Sequence, residues 1–207
     1  MIPDLTCSII YSDNENNAIE RLKPFSSGQW DERSGEIKKN VEIVKMKIKE
    51  GLASQAKCAY CGALLWDSSN PEIEHIAPKG KYPEFMYTNS NLVYACHLCN
   101  GFCRKGTKNT IKTYNKDYEK CVFTIVHPYF HDVKEHYKYK FGDNIYKLIV
   151  VPRTKEAENS IEMFGLNDIP RIEARGKRVI SESIKLTYEQ ETEYRKTIEY
   201  GHSNKTN

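Results

Sequence analysis

The chain has 207 residues, 39% hydrophobic and 29% charged, with a formal net charge of +3. That composition excludes a disordered chain, and no apolar run approaches the roughly 20 residues that span a bilayer. The opening Met1-Ile2-Pro3-Asp4-Leu5 lacks the basic-then-apolar pattern of a secretion signal, so the expected location is the cytoplasm.

The segment to Ser34 is polar. Asn14-Glu15-Asn16-Asn17 reads as a helix start, with Ala18, Ile19 and Leu22 on one face before Pro24 stops it. Phe25 to Gly35 reads as a loop. Glu36 to Glu50 is expected to be a helix, because Ile37, Val41, Val44 and Ile48 fall on one stripe, with Gly51 as its cap. Val122 to Val126 reads as a strand ended by Pro128. His136–Phe141 and Ile145–Val151 flank Gly142-Asp143-Asn144, a hairpin signal. Thr154 to Phe164 reads as a helix capped by Gly165. Asn167 or Asp168 opens another, carrying Ile172, Val179, Ile180 and Ile184, with Gly176 weakening its middle. The tail from Glu189 is polar and expected to fray.

Seven cysteines without an export signal argue against a disulfide framework. Four of them form two Cys-x-x-Cys pairs, Cys58/Cys61 and Cys96/Cys99, separated by residues 62–95. A tetrahedral zinc ion needs four thiolates at about 2.3 Å, and each pair supplies two from one tight turn. The expected site is structural, since four cysteines leave no open position for catalysis. Cys7, Cys103 and Cys121 have no partner at metal spacing, although Cys103 lies near enough to serve as an alternative ligand. His97, inside the second pair, is expected to face solvent.

Between the pairs stands Pro71-Glu72-Ile73-Glu74-His75-Ile76-Ala77-Pro78-Lys79. Asn91 follows, and Asn100 comes directly after Cys99. Glu74 and His75 are neighbours on a strand. They face opposite sides unless the strand ends there, as Pro78-Lys79-Gly80 implies. Asn100 is expected in the first turn of a helix running toward Arg104. Hydrolysis of a phosphodiester needs a base for the attacking water and a cation near the phosphate. A neutral histidine suits the first task, and Mg²⁺ or Mn²⁺ on carboxylate and amide oxygens suits the second. From Gly101 to Lys120, six basic residues stand against two acidic ones, with Tyr114 and Tyr118 interleaved. Such a stretch is able to track a phosphate backbone, or is a solvated basic face.

This order of acid-His, Asn and Asn inside two cysteine pairs resembles the HNH nuclease motif in its zinc-stapled form. The resemblance implies an α+β fold: a ββα-metal core over 54–120, N-terminal helices over 1–53, and a hairpin-plus-helices extension over 121–207. It implies His75 as general base, Glu74 and Asn100 as ligands of a catalytic Mg²⁺ or Mn²⁺, and Asn91 as the residue that orients the histidine and ties the hairpin loop. Lys79, Lys81, Arg104 and Lys105 become the expected phosphate contacts. The commonest pattern has lysine three residues after the last asparagine, where this chain has Cys103.

Glu74-His75-Ile76-Ala77-Pro78-Lys79-Gly80-Lys81-Tyr82-Pro83 also resembles HNH effectors of bacterial anti-phage systems of the Septu and retron type. So do His127-Pro128-Tyr129-Phe130-His131-Asp132 with Glu135-His136, and Asn159 to Asn167 with Arg171. In that family an ABC/SMC-like ATPase is the expected partner. His127, His131 and His136 are expected to belong to a structural loop fixed by Pro128. The expected activity is hydrolysis of DNA. The alternatives are an RNA nuclease, for instance on transfer RNA, and a non-catalytic zinc-ribbon module binding nucleic acid or protein.

Overall fold

The computed structural model describes residues 1–66, 70–140, 148–183 and, in the tail, 187–190, 192 and 196. Among the described residues, helices and three two-stranded antiparallel sheets follow one another along the chain. Among the described residues, no helix is long and apolar enough to cross a membrane.

Helix α1 covers Asp13–Arg21. Ser12 precedes it, and its backbone N–H and hydroxyl both donate to the Glu15 carboxylate, at 2.9 and 2.6 Å. Helix α2 covers Gly35–Gly51, packs on α1 and buries Val41, Val44 and Ile48. Ile37 stays 41% exposed, because it lies in the first turn of α2, beyond the packed stripe. Gly51 serves a different purpose from the expected cap. It is still helical, and a Cβ there would stand 2.8 Å from the Ile9 backbone. A side chain would therefore block the N-terminal segment where it crosses the helix end.

Strand β1, Glu72–His75, pairs with β2, Leu92–Ala95, in the register Glu72 to Ala95 and His75 to Leu92. A single helical turn follows, α3 at His97–Asn100. It stops at Gly101 rather than running to Arg104, and the chain continues in turns to Thr107. Strands β3, Ile111–Thr113, and β4, Val122–Phe123, form the second pair, with a bulge between Ile111 and Thr113. The strand expected over 122–126 is thus only two residues long. After α4, Val133–His136, strands β5, Tyr137–Lys140, and β6, Ile149–Pro152, form the expected hairpin, whose turn signal at 142–144 lies outside the described residues.

Helix α5, Lys155–Phe164, is capped by Thr154 at its start and by Gly165 at φ 57°, a left-handed conformation that favours glycine. Helix α6 covers Ile169–Ser183, so Ile184 falls outside the described residues. One buried apolar cluster takes residues from all three stretches of the chain, including Ile48, Leu92, Phe123 and Phe164. Tyr60, from the first cysteine turn, stacks on Phe164 of α5 at 4.0 Å between ring centroids.

Candidate zinc centre and active site

The first cysteine pair sits on a tight loop. Cys58 N–H donates to Ala63 O, Gly62 N–H donates to Cys58 O, and Gly62 adopts φ 68°. Ala59 N–H donates to Tyr94 O, which ties this loop to β2. The second pair begins at the end of β2, and Cys99 N–H donates to Cys96 O. All four Sγ atoms lie within 4.8 Å of one another, and all four residues are buried. Cys61 and Cys96 Sγ are 3.8 Å apart. Zinc–sulfur bonds of about 2.3 Å in a tetrahedron place sulfurs about 3.8 Å apart, so the cluster is compatible with zinc. Cys103 is exposed and outside the cluster, which removes it as an alternative ligand. Arg171 Nη2 donates to Cys99 Sγ at 3.4 Å, and Arg178 Nη1 to Gly62 O at 2.6 Å. Burial alone would lower the Arg171 pKa, but the cysteine sulfurs hold it above its ordinary value. A four-thiolate zinc site carries net negative charge, which a nearby guanidinium offsets.

His75 ends β1 and is buried, 5% exposed as a residue. Trp30, in the short 3-10 turn Gln29–Asp31, packs edge-on against it at 4.5 Å. His75 Nε2 lies 3.1 Å from Met86 O. A carbonyl only accepts, so Nε2 carries the proton and Nδ1 keeps its lone pair. Burial, helped by the charges of Lys79 and Lys105, pulls the His75 pKa down to about 3. The imidazole is therefore neutral at ordinary pH.

Glu74 points away from His75, as strand alternation requires. Its carboxylate is 2.5 Å from the Lys105 ammonium and 3.4 Å from Tyr60 OH. Burial pushes its pKa up, against the pull of Lys105. Lys105 is 1% exposed and also donates to His75 O at 2.7 Å. Its expected place on a phosphate is corrected accordingly: the ammonium is enclosed between Glu74 and the strand end.

Asn91 is fully buried and ties the loop that joins β1 to β2. Its Oδ1 accepts from Ala77 N–H at 2.7 Å, and its Nδ2 donates to Ala77 O and Phe85 O at 3.2 and 2.9 Å. Asn100 meets Glu72 rather than Glu74, its Nδ2 donating to Glu72 Oε2 at 2.7 Å. The other Glu72 oxygen is 2.7 Å from His97 Nδ1 and holds the His97 pKa up. Glu72 was missed from sequence. The signal was its spacing of two from Glu74, which puts both carboxylates on one face.

The remaining expected phosphate contacts also have partners. Lys79 pairs with Asp31 at 2.6 Å, and Arg104 pairs with Asp168. Lys81 is exposed, with its ammonium 5.7 Å from the centre of the Tyr82 ring.

No family model matches the chain. Over 70 residues, 33% of the chain, it is 37% identical to the Septu protein PtuB of Bacillus thuringiensis. That stretch spans about a quarter (26%) of the relative's own length, so the likeness is to one part of a Septu protein.

Proposed function

We propose that this protein is an HNH-type endonuclease that hydrolyses DNA, acting as the effector of an anti-phage system beside an ABC/SMC-like ATPase. The observation that carries the reading is the state of His75. Its Nε2 is committed to Met86 O, and its Nδ1 has no hydrogen bond among the described residues. A neutral imidazole with a fixed tautomer and a free lone pair is the form required of a general base. Nδ1 takes the proton of a water whose oxygen attacks phosphorus, and the leaving oxygen is protonated from solvent. A pKa of about 3 makes the free ring a weak base. Burial is the larger cause, so uncovering the ring raises it, and an incoming phosphodiester that offsets the nearby lysine charges adds to that. The likeness to a Septu protein supports the defence role.

Access to His75 requires the Gln29–Asp31 turn to move, since Trp30 covers the ring and Asp31 holds Lys79. Lys79 and Lys81 are the residues best placed to take a phosphate after that movement. Zinc would be held by Cys58, Cys61, Cys96 and Cys99 and would pin the hairpin to the first loop. A catalytic Mg²⁺ or Mn²⁺ fits less well. The Glu74 carboxylate is taken by Lys105, whereas Asn100 engages Glu72 only through its amide nitrogen, which leaves its ligating atom, Oδ1, out of that bond. When bound, such a cation would offset charge on the scissile phosphate, and removal of the water proton belongs to His75. The burial of His75 beneath Trp30 favours one other reading, a zinc-ribbon module that binds without cutting.

The test is to incubate zinc-loaded protein with plasmid DNA and with total RNA, in Mg²⁺, in Mn²⁺ and in EDTA. Cutting of DNA is the expected result, and cutting of RNA alone would change the substrate. If neither is cut, even with an ATPase encoded beside the protein, the binding module is left standing.

A further inference from the structure

Resting on the nuclease reading, we infer that Tyr118 and His127 are positioning residues for His75, linked to its loop by a directed chain of buried hydrogen bonds. His127 opens the His-Pro-Tyr-Phe stretch, which the proposed chemistry leaves without a role. It is fully buried between Phe123, at 4.4 Å, and Phe130, stacked at 4.0 Å. Tyr129 N–H donates to His127 Nδ1 at 3.2 Å. In the neutral ring, Nε2 therefore carries the proton and donates to Tyr118 Oη at 3.0 Å. The Tyr118 proton then goes to Asn91 Oδ1 at 2.9 Å. The other end fixes the same direction, because Ala77 N–H also donates to Asn91 Oδ1 and no amide nitrogen accepts there.

The chain ends on both sides of His75. Ala77 lies two residues beyond it. Phe85, which accepts from Asn91 Nδ2, precedes Met86, whose carbonyl holds the imidazole. Losing the Tyr118 hydroxyl or the His127 donor slackens the segment that orients the ring. A cage of aromatic rings is filled at lower desolvation cost by an apolar side chain, so the polar pair makes sense if its bonds are used. Misplacement of a base by about 1 Å is able to cost on the order of 100-fold in rate, whereas substrate binding elsewhere is unaffected.

The experiment compares zinc-loaded wild type with Tyr118→Phe, His127→Leu and His127→Gln. The glutamine amide reaches the Nε2 position and keeps the donor to Tyr118. Expected are unchanged zinc content, kcat lower by about 10-fold or more in Tyr118→Phe and His127→Leu with KM within about 2-fold, and His127→Gln within about 3-fold of wild type. In parallel, NMR follows the His75 ring signals and the exchange of the Ala77 amide. Both are expected to change in Tyr118→Phe and to stay near wild type in His127→Gln. If wild type cuts nothing, even with the proposed ATPase present, the nuclease reading fails, and the ring and amide signals alone decide the relay. If Tyr118→Phe does not fold, the two His127 variants decide it. Wild-type kcat and unmoved His75 signals in Tyr118→Phe or His127→Leu would overturn the inference, as would His127→Gln behaving like His127→Leu.

Discussion

Lys105 and Glu74 form an ion pair with side chains 1% and 5% exposed. Removing one partner strands a charge in the core, which costs about 3–5 kcal/mol. Lys105→Met is expected to lower urea stability by that amount, and adding Glu74→Gln should recover part of it. Two buried histidines set the acid limit. His75 and His127 are both held below the ordinary histidine pKa by burial. The unfolded chain takes up these protons near pH 6.5 while the fold resists, so stability falls as pH drops below about 6.5. For His75 the loss continues down to about pH 3. Urea midpoints at pH 7.5 and pH 5.5 are expected to show this loss, and His127→Gln should reduce it. Sequence placed Glu74, His75 and Asn91 in the same short unit that the structure builds. It misread Lys105, because a run of basic residues shows where charge lies along the chain but not which lysine the fold encloses.

The turn at Gln29–Asp31 is the element with most influence on His75. Trp30 is held there by the Lys45 ammonium, 4.4 Å from its ring and also bonded to its carbonyl. Trp30→Ala is expected to cost about 3–5 kcal/mol in urea stability and to raise the His75 pKa from about 3 toward 6.5, read by NMR titration. Sequence read this segment only as a loop, since a single tryptophan has no periodicity and its contact with His75 crosses 45 positions. Helices α1 and α2 were legible from their apolar spacing and α5 from the glycine that ends it, all local signals, whereas the Ser12 cap of α1 was not read and the cap expected at Gly51 is a helical residue. Strand β3 was not foreseen, and β4 is two residues long. Strands that short have no alternation to read, and their pairing depends on Thr110 and Thr124 meeting across the fold.

At the scale of the molecule, the four-cysteine cluster, compatible with zinc, joins the loop before β1, the end of β2 and, through Arg171 and Arg178, helix α6. Structural zinc of this kind contributes on the order of 10 kcal/mol. Cys58→Ala is expected to lose the metal, measured by elemental analysis, and with it the cooperative unfolding transition. Arg171→Gln is expected to keep the fold and weaken zinc binding by about 10- to 100-fold in a chelator competition. Cysteine spacing made the cluster legible, because each pair is closed by a turn of four residues. The return of α6 onto it was not, since that contact joins residues 72 positions apart.

The most direct test of the central claim compares wild type with His75→Ala on plasmid DNA, at equal zinc content and with the proposed ATPase partner present. The account predicts cleavage by wild type and loss of at least about 1000-fold in the variant, with the fold intact. Equal cleavage by both proteins would contradict it, and so would cleavage by neither.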